Sequence, residues 1–159
     1  TLALKGSYAG AIGIPQFMPG SYRRYAVDLD GDGKQDLSGS FADAIGSVAN
    51  FLKAHGWQSG EPVAYAAQVQ GENYRSLIAA GIKPTYRYGD LASFGIHAAG
   101  EAKADAPCAL IELATPDEAS EYLVGLANFY VLTRYNRSSM YAAAVLELAQ
   151  AVKAAEQAK

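Results

Sequence analysis

Cysteine and charge are both scarce in this chain. Cys108 is its single cysteine, which excludes an intrachain disulfide and a cysteine-rich zinc site. Charged residues make up 18% of the 159 residues, and the formal net charge is -3. Because no segment concentrates basic residues, the electrostatic footprint of a nucleic-acid-binding protein is missing. We therefore expect no nucleic-acid partner.

Long apolar runs are missing as well. No stretch approaches the roughly 18 consecutive apolar residues of a membrane-spanning helix, so we expect no transmembrane segment. No basic and then apolar leader opens the chain, which begins at Thr1 rather than at a methionine. We expect it to be a fragment or a processed form of a longer protein.

Pairs of catalytic side chains are equally hard to find. His55 and His97 have no partner at a useful spacing, and Cys108 lies in an apolar run that favours a buried, inert thiol. Glycoside cleavage needs a carboxylic acid beside a sugar cleft. None of the eight glutamates falls within the aromatic segments 6–25 and 130–141, so the sequence nominates no general acid.

Half of the residues are hydrophobic, enough for the core of one domain. Apolar spacing predicts an amphipathic helix over 41–55, ended by Gly56. A weaker pattern over 60–113 predicts a small mixed subdomain with strands at 63–70 and 108–113 and a helix at 74–80. Capping patterns predict a helix over 117–127 and a closing helix that begins at Ser138 or Ser139 and frays past Ala154.

Residues 6–20 combine glycine and proline with large apolar and aromatic side chains. A solvent-exposed loop rarely has this composition. Glycine lets a ligand approach the backbone closely, and aromatic rings offer it a flat face. The pattern predicts an ordered, partly buried turn segment of the kind that lines a binding cleft.

The segment after this turn matches the opening of a calcium-binding loop. Residues 28–33 read D-x-D-x-D-G, in which carboxylates at positions 1, 3 and 5 converge on the ion. Gly39 stands at position 12, where a bidentate Glu is expected, and Asp43 is the candidate substitute. The pattern predicts a structural calcium ion at 28–39, and a solvated turn followed by a helix cap is the alternative. The predicted ligands are Asp28, Asp30, Asp32, the Lys34 carbonyl, Asp36 and Asp43.

A series of motifs in fixed order resembles the lytic murein transglycosylase B family. The series covers most of the chain: GSYAGAIG at 6–13, PQFMP at 15–19, the 28–36 loop, DAIGSVAN at 43–50, AHGW at 54–57, and the aromatic segment at 128–138. The resemblance implies a mainly α (α+β) fold with a lysozyme-like transglycosylase core, an EF-hand-like calcium loop and a small β-containing insertion. Residues 1–59 would be a core segment, 60–113 the insertion and 114–159 the returning core helices.

The resemblance also implies an activity. The family cleaves the β-1,4 bond between N-acetylmuramic acid and N-acetylglucosamine in peptidoglycan glycan strands without water, and forms a 1,6-anhydro product. One Glu serves as acid and then as base. In the family this Glu lies upstream of the segment that corresponds to 6–13, so we expect no catalytic acid in this chain. A periplasmic or envelope location follows from the same resemblance, with a lipid anchor on an upstream segment left open.

On the same basis Ser7 would be a hydrogen-bond partner for the catalytic Glu, and Gln16 a donor to the substrate. The other cleft residues implied are Phe17, Met18, Tyr135, Asn136 and Tyr141. Each has a plainer alternative, because tyrosines at helix boundaries are often core residues, and Ser and Asn often bond to nearby backbone in turns.

Two other functions stay open. One is a non-catalytic peptidoglycan-binding module stabilised by calcium. The other is a calcium sensor, which is weaker because sensors usually pair two loops and the chain has one. The sequence does not indicate an oligomeric state.

Overall fold

A computed structural model describes residues 6–116 and 118–158. The chain forms two compact units, Thr1–His55 and Gly56–Lys159. Within the described ranges, no helix combines the length and the apolar character needed to cross a membrane.

Unit 1 contains two helices joined by a loop, residues 26–40, which carries four aspartates and is called the acidic loop below. Helix α1 spans Pro19–Tyr25 and helix α2 spans Phe41–Ala54. Proline is favoured at the first position of a helix such as α1, since its missing N–H would have no partner there. The Ser40 hydroxyl caps α2 by accepting a hydrogen bond from the Asp43 N–H, and Gly56 follows the helix at a φ of 96°. The helix predicted over 41–55 is confirmed to within one residue.

The segment before α1 is ordered by backbone pairing. Ile12 bridges to Gly6 on one side and to Phe17 on the other. Gly13 has a φ of 68°, and a Cβ built on it would lie 2.4 Å from the carbonyl oxygen of Leu37. Both observations require glycine at this position. The Ile14 N–H then donates to the same carbonyl at 2.7 Å, so the segment is tied to the end of the acidic loop.

An aromatic cluster holds unit 1 together. The ring of Phe51 packs against Phe17 at a centroid distance of 5.8 Å and meets Tyr25 edge-on at 5.0 Å. His55 stacks on Phe51 at 4.0 Å. Such pairs add to area burial, so the last turn of α2 anchors both α1 and the segment before it.

Unit 2 is built on a five-stranded antiparallel sheet in the order β2-β4-β5-β1-β3. Helix α3 and a 3₁₀ helix lie between the strands in sequence, and helices α4 and α5 follow the sheet. The elements are β1 (Ala64–Val69), α3 (Arg75–Ala79), β2 (Tyr86–Arg87), the 3₁₀ helix (Tyr88–Phe94), β3 (Ile96–Ala98), β4 (Pro107–Leu113), β5 (Glu121–Gly125), α4 (Ala127–Tyr135) and α5 (Ser139–Gln157).

Strand β4 is buried on both faces, and its apolar run reflects this. On one face Leu110 stands opposite Val124 of β5 and joins a core cluster with Leu77 of α3. On the other face Ala109 and Ile111 are also buried. The sheet therefore lies inside unit 2, with α3 against one face and Phe129 of α4 near Ile111 and Gly125 on the other.

The helix predicted over 117–127 is wrong. Residues Glu121–Gly125 form β5, paired with both β1 and β4, and Asp117 lies outside the described residues. The Thr115 capping pattern forms a turn instead, closed by the Glu118 N–H on the Thr115 carbonyl at 3.3 Å. Two flanking strands satisfy the backbone of this segment, and that tertiary pairing outweighs its local helical pattern.

Except at the end of the closing helix, the other predicted elements agree with the structure within about two residues, a normal uncertainty for element ends. The closing helix begins after Ser138, whose hydroxyl accepts a hydrogen bond from the Tyr141 N–H. It extends to Gln157, beyond the expected end near Ala154.

Candidate functional site

The turn segment of unit 1 carries Ser7 and Gln16 on its exposed surface. The Ser7 hydroxyl accepts a hydrogen bond from the Ala11 N–H at 3.1 Å. This agrees with the alternative that Ser7 is a turn residue bonded to nearby backbone. In this bond, however, the hydroxyl acts only as an acceptor. The hydroxyl hydrogen can still be donated to another group.

Gln16 has a strained backbone. Its φ of 53° is the only positive value at a non-glycine residue in the described part of the chain. Its side-chain amide donates to the Gly13 carbonyl at 2.8 Å, and its own N–H donates to the same oxygen at 3.1 Å. The amide nitrogen is thus held in place, and the side-chain oxygen is left as an exposed acceptor. Strain of this kind persists only where the surroundings enforce it, and it clusters at functional sites.

Phe17 and Met18 have different environments. Phe17 is 3% exposed and packs on Phe51, so its ring supports the segment from below rather than offering a face to a ligand. This differs from the expected role of Phe17 in a cleft wall. Met18 is 48% exposed and caps α1, so its side chain is accessible.

Tyr135 and Tyr141 of unit 2 are brought together. Their rings are nearly parallel, at 2°, with centroids 6.5 Å apart. Burial, and secondarily the neighbouring Tyr141, raise the pKa of Tyr135 to about 12. The Tyr135 hydroxyl is therefore neutral at every physiological pH and can act as a hydrogen-bond donor.

Asn136 ends α4 and is exposed. Its side-chain oxygen accepts a hydrogen bond from the Ser138 N–H at 3.2 Å, which shapes the short turn between α4 and α5. Its side-chain NH₂ has no recorded partner among residues 6–116 and 118–158. The turn therefore presents an amide donor beside the two tyrosines.

Two aspartates of the acidic loop converge with Asp43 of α2. Carboxylate oxygens of Asp28, Asp30 and Asp43 lie within 4.8 Å of one another. Asp28 also accepts hydrogen bonds from the N–H groups of Gly31 and Gly33, at 2.7 and 2.8 Å, which curl the loop around its carboxylate.

Asp43 organises this loop from the first turn of α2. Its side chain is fully buried and accepts hydrogen bonds from the N–H groups of Leu29 and Asp36 at 2.8 Å and, more weakly, of Asp30 at 3.5 Å. Burial raises the pKa of its carboxyl, but these backbone donors outweigh it and hold the pKa below its ordinary value. Asp43 is therefore a carboxylate, the opposite of what a general acid requires.

Other predicted ligands stand apart from the three-carboxylate cluster. Asp32 accepts from the Lys34 N–H at 2.8 Å, and Asp36 accepts from the Ser38 and Gly39 N–H groups at 2.9 Å. Across the described ranges the single ion pair joins Arg75 to Glu72, so no lysine or arginine there neutralises the loop. The loop is a concentrated negative charge that a cation would relieve.

Sequence reasoning missed Asn128, the second residue of α4. Its buried side chain accepts from the Gln58 N–H at 2.8 Å and donates to the carbonyls of Gln58 and Glu61 at 2.8 and 3.0 Å. It thereby fixes the chain that leads into β1. No sequence signal could identify this role, because the partners are backbone groups about 70 residues away.

A pocket of about 440 Å³ lies beside Asn128. Glu61, Glu101 and Lys103 contribute charge to a lining that is otherwise mostly aliphatic. Glu61 and Glu101 are two of the eight glutamates, none of which the sequence analysis nominated as a general acid. They are 40 residues apart in sequence, and both line this pocket.

Cys108 is fully buried, and burial, with a smaller effect of Asp90, raises its thiol pKa to about 11. It is therefore inert at neutral pH, as expected. Nδ1 of His55 forms a hydrogen bond with the Phe51 carbonyl at 2.7 Å. Neither residue is a catalytic candidate.

Comparisons with known proteins agree over nearly the whole chain. A family model described as the transglycosylase SLT domain matches residues 1–150. The membrane-bound lytic murein transglycosylase B of Escherichia coli (strain K12) is 45% identical over 151 residues, which cover 95% of this chain and 40% of that protein.

Solved structures are similar in fold. Soluble lytic transglycosylase SltB1 from Pseudomonas aeruginosa has 47% identity and a TM-score of 0.89, covering 98% of this chain and 51% of that one. Escherichia coli lytic transglycosylase Slt35, in complex with calcium, has 43% identity and a TM-score of 0.80, covering 96% and 47%. The chain thus spans about half, or less, of the length of these relatives. It has their lysozyme-like transglycosylase fold of helices with an antiparallel sheet, and it belongs to the transglycosylase SLT domain family, as its resemblance to the lytic murein transglycosylase B family predicts.

Proposed function

We propose that this chain is part of a murein lytic transglycosylase and carries part of its glycan-binding cleft. The observation that supports this most strongly is the 45% identity to a lytic murein transglycosylase across 95% of the chain. The motifs at 6–19 and 128–138, which hold the candidate cleft residues, lie inside that matched region.

The proposed reaction is cleavage of the β-1,4 bond between N-acetylmuramic acid and N-acetylglucosamine. A carboxylic acid donates its proton to the glycosidic oxygen as the bond to the anomeric carbon breaks. The resulting carboxylate then takes the proton of the muramyl 6-hydroxyl, whose oxygen bonds to the anomeric carbon and closes the 1,6-anhydro ring. Water does not enter the balance, and the acid is regenerated.

The acid belongs to a polypeptide segment outside this chain. Ser7 would hold that carboxyl group through its free hydroxyl hydrogen, which lowers the entropic cost of positioning the acid. Gln16, with its amide nitrogen bonded to Gly13, would present its side-chain oxygen to an N–H or hydroxyl of the sugar. Met18 would form an accessible part of the wall, with Phe17 supporting it from below.

The residues of unit 2 would contact the glycan through a ring and an amide donor. Tyr135 would contribute its half-buried ring, and Asn136 can donate from its side-chain amide. Tyr141 would fix the Tyr135 ring by parallel stacking. These groups suit the acetamido and hydroxyl oxygens of an aminosugar polymer.

We propose calcium as a structural ion of the acidic loop. Three carboxylates lie within 4.8 Å of one another, and no cationic side chain of the described residues pairs with them. On each of these three carboxylates at least one oxygen accepts a single hydrogen bond and keeps a lone pair for a cation: Asp28 Oδ2, both oxygens of Asp30, and Asp43 Oδ2. Asp28, Asp30 and Asp43 would be the central ligands, with Asp32, Asp36 and the Lys34 carbonyl completing the set after a small rearrangement.

The partner that follows from this function is the glycan strand of peptidoglycan, and the location is the periplasm or cell envelope. Both rest on a relative named as a membrane-bound lytic murein transglycosylase.

The test is an assay for anhydromuropeptides on purified murein. It compares this chain, a version extended upstream in its gene, and the extended version with each upstream glutamate changed to glutamine in turn. We expect products only from the extended form, and their loss in one glutamine variant. Turnover by the present chain would contradict the upstream acid. Murein binding without turnover in any form would favour a non-catalytic binding module.

A further inference from the structure

The pocket of unit 2 has walls that are fixed by hydrogen bonds to the backbone of its charged residues. The Glu61 carbonyl accepts from the Asn128 amide at 3.0 Å, and the Glu101 carbonyl accepts from the Tyr65 hydroxyl at 2.7 Å. The Lys103 carbonyl accepts from the Ala106 N–H at 2.9 Å. The positions from which three charged side chains project are therefore set before any ligand arrives.

The side chains themselves are free. All three are exposed, and none forms an ion pair or hydrogen bond with another residue of the described chain. With two carboxylates and one ammonium group, the lining has a net charge of -1 and offers contacts of both signs. Its volume of about 440 Å³ is within the usual range for a small-ligand site.

The apolar part of the lining argues against a sugar. Among the described residues Tyr65 is the single aromatic member of the lining, and Gly100 lies so close to its ring that a side chain there would clash with it. The other apolar members are small or aliphatic: Pro62, Ala102, Ala106, Pro107, Leu126 and Ala127. An aliphatic wall with separated charges of both signs suits a short peptide with small side chains, a free amine and a carboxylate.

We propose that this pocket binds the short peptides that murein carries on its glycan strands. The inference rests on the proposed function, because murein is the substrate that brings such peptides to the protein. Glu61 and Glu101 would contact the amine of the diamino acid in the peptide, and Lys103 would contact a carboxylate. The pocket would thereby select peptide-bearing glycan, while the candidate cleft residues contact the sugars.

The test is an NMR titration of the ¹⁵N-labelled chain with the free murein stem tripeptide, whose third residue has a side-chain amine. We expect saturable shifts at the amides of Ala106, Leu126 and Ala127, with a Kd of about 1 mM, as a few exposed charge contacts would give. Acetylating the side-chain amine, changing Glu101 to lysine, or changing Lys103 to glutamate should each weaken binding about threefold to tenfold. Glu147→Gln, an exposed change on α5, is the matched control and should leave binding unchanged.

The proposal is overturned if no saturable shift occurs at the pocket by about 10 mM peptide. Equal binding of the acetylated peptide, or shifts at the same amides with chitotriose instead, would also overturn it. The readout is independent of turnover. Murein cleavage without peptide binding would refute this pocket alone, whereas peptide binding without cleavage by any extended form would refute the proposed reaction alone.

Discussion

Two buried polar side chains, one in each unit, organise a loop from the first turn of a helix, and they do so with different charge. Asp43 of α2 accepts backbone N–H groups from the acidic loop, and Asn128 of α4 both accepts from and donates to the chain before β1. Both are almost completely buried. An amide satisfies donors and acceptors without charge, whereas a carboxylate collects donors and adds negative charge. One loop should therefore respond to protons and cations, and the other should be indifferent to both.

Replacing the buried amide of Asn128 by a carboxylate should have the largest effect on stability. Asn128→Asp keeps the shape but removes both donated hydrogen bonds and buries a charge facing the Gln58 and Glu61 carbonyls. We expect a loss of about 3 kcal/mol or more in the free energy of unfolding, measured by urea denaturation. Asn136→Asp, on an exposed side chain at the other end of α4, should change stability by less than about 0.5 kcal/mol. Equal effects would show that the hydrogen bonds of Asn128 contribute little.

The next largest effect should come from calcium, which should stabilise the acidic loop and leave the segment held by Asn128 unchanged. At a hundredfold excess over Kd, calcium should stabilise the folded chain by about 2.7 kcal/mol through mass action. Hydrogen exchange should slow at the amides of Leu29 and Asp36 and stay the same at Gln58. Asp28→Asn should remove the effect, whereas Asp105→Asn, an exposed aspartate outside the loop, should retain it. Protection at Gln58 equal to that at Leu29 would contradict a local ion.

Low pH should have a smaller effect, again on the acidic loop and not on the segment held by Asn128. The carboxyl of Asp43 has its pKa lowered in the folded state, so its stabilising contribution is complete above the ordinary value of 3.8 and is lost as the pH falls through the folded value. We expect the amide signals of Leu29 and Asp36 to shift, and their protection factors against hydrogen exchange to fall, below about pH 4. The Gln58 amide, held by an uncharged group, is the internal control. A shift of the Gln58 amide signal over the same pH range would contradict the claim that the segment held by Asn128 does not respond to protons.

The smallest effect concerns a third loop, residues 6–18, in which Gln16 has a positive φ. Gln16→Gly relieves a left-handed backbone and should stabilise unit 1 by up to about 1 kcal/mol, while it weakens binding to murein. Gln68→Gly, on an exposed position of β1, should destabilise by about 0.5 to 1 kcal/mol. Thermal unfolding and murein pull-down measure the two properties. A loss of stability in the Gln16 variant would show that its side-chain bond outweighs the strain.

Local patterns were sufficient to predict elements whose signals are local. Helix α2 follows from apolar spacing between Ser40 and Gly56, and α5 follows from the Ser138 cap. The same logic failed over 117–127, because β5 depends on partners more than 50 residues before it and on β4. Spacing of Tyr122, Leu123 and Leu126 is compatible with either structure, and pairing decided between them.

The same distinction between local and long-range signals applies to the candidate site. Aspartates 28, 30 and 43 lie close in sequence, so their convergence could be predicted from a loop pattern. The strained φ of Gln16 and the burial of Phe17 could not, because both depend on how 6–18 folds against Leu37 and Phe51. The unit 2 pocket unites three segments that no motif connects.

The position of β5 also sets the order in which unit 2 can assemble. It is the central strand of the sheet and the last to be synthesised. Before residue 125 has left the ribosome, β1 with β3, and β2 with β4, can form only two separate hairpin-like pieces, each with an open inner edge. Long-range closure of this kind slows folding, and unpaired edges favour aggregation. Translation of β5 is therefore the event that commits the nascent chain to its native sheet.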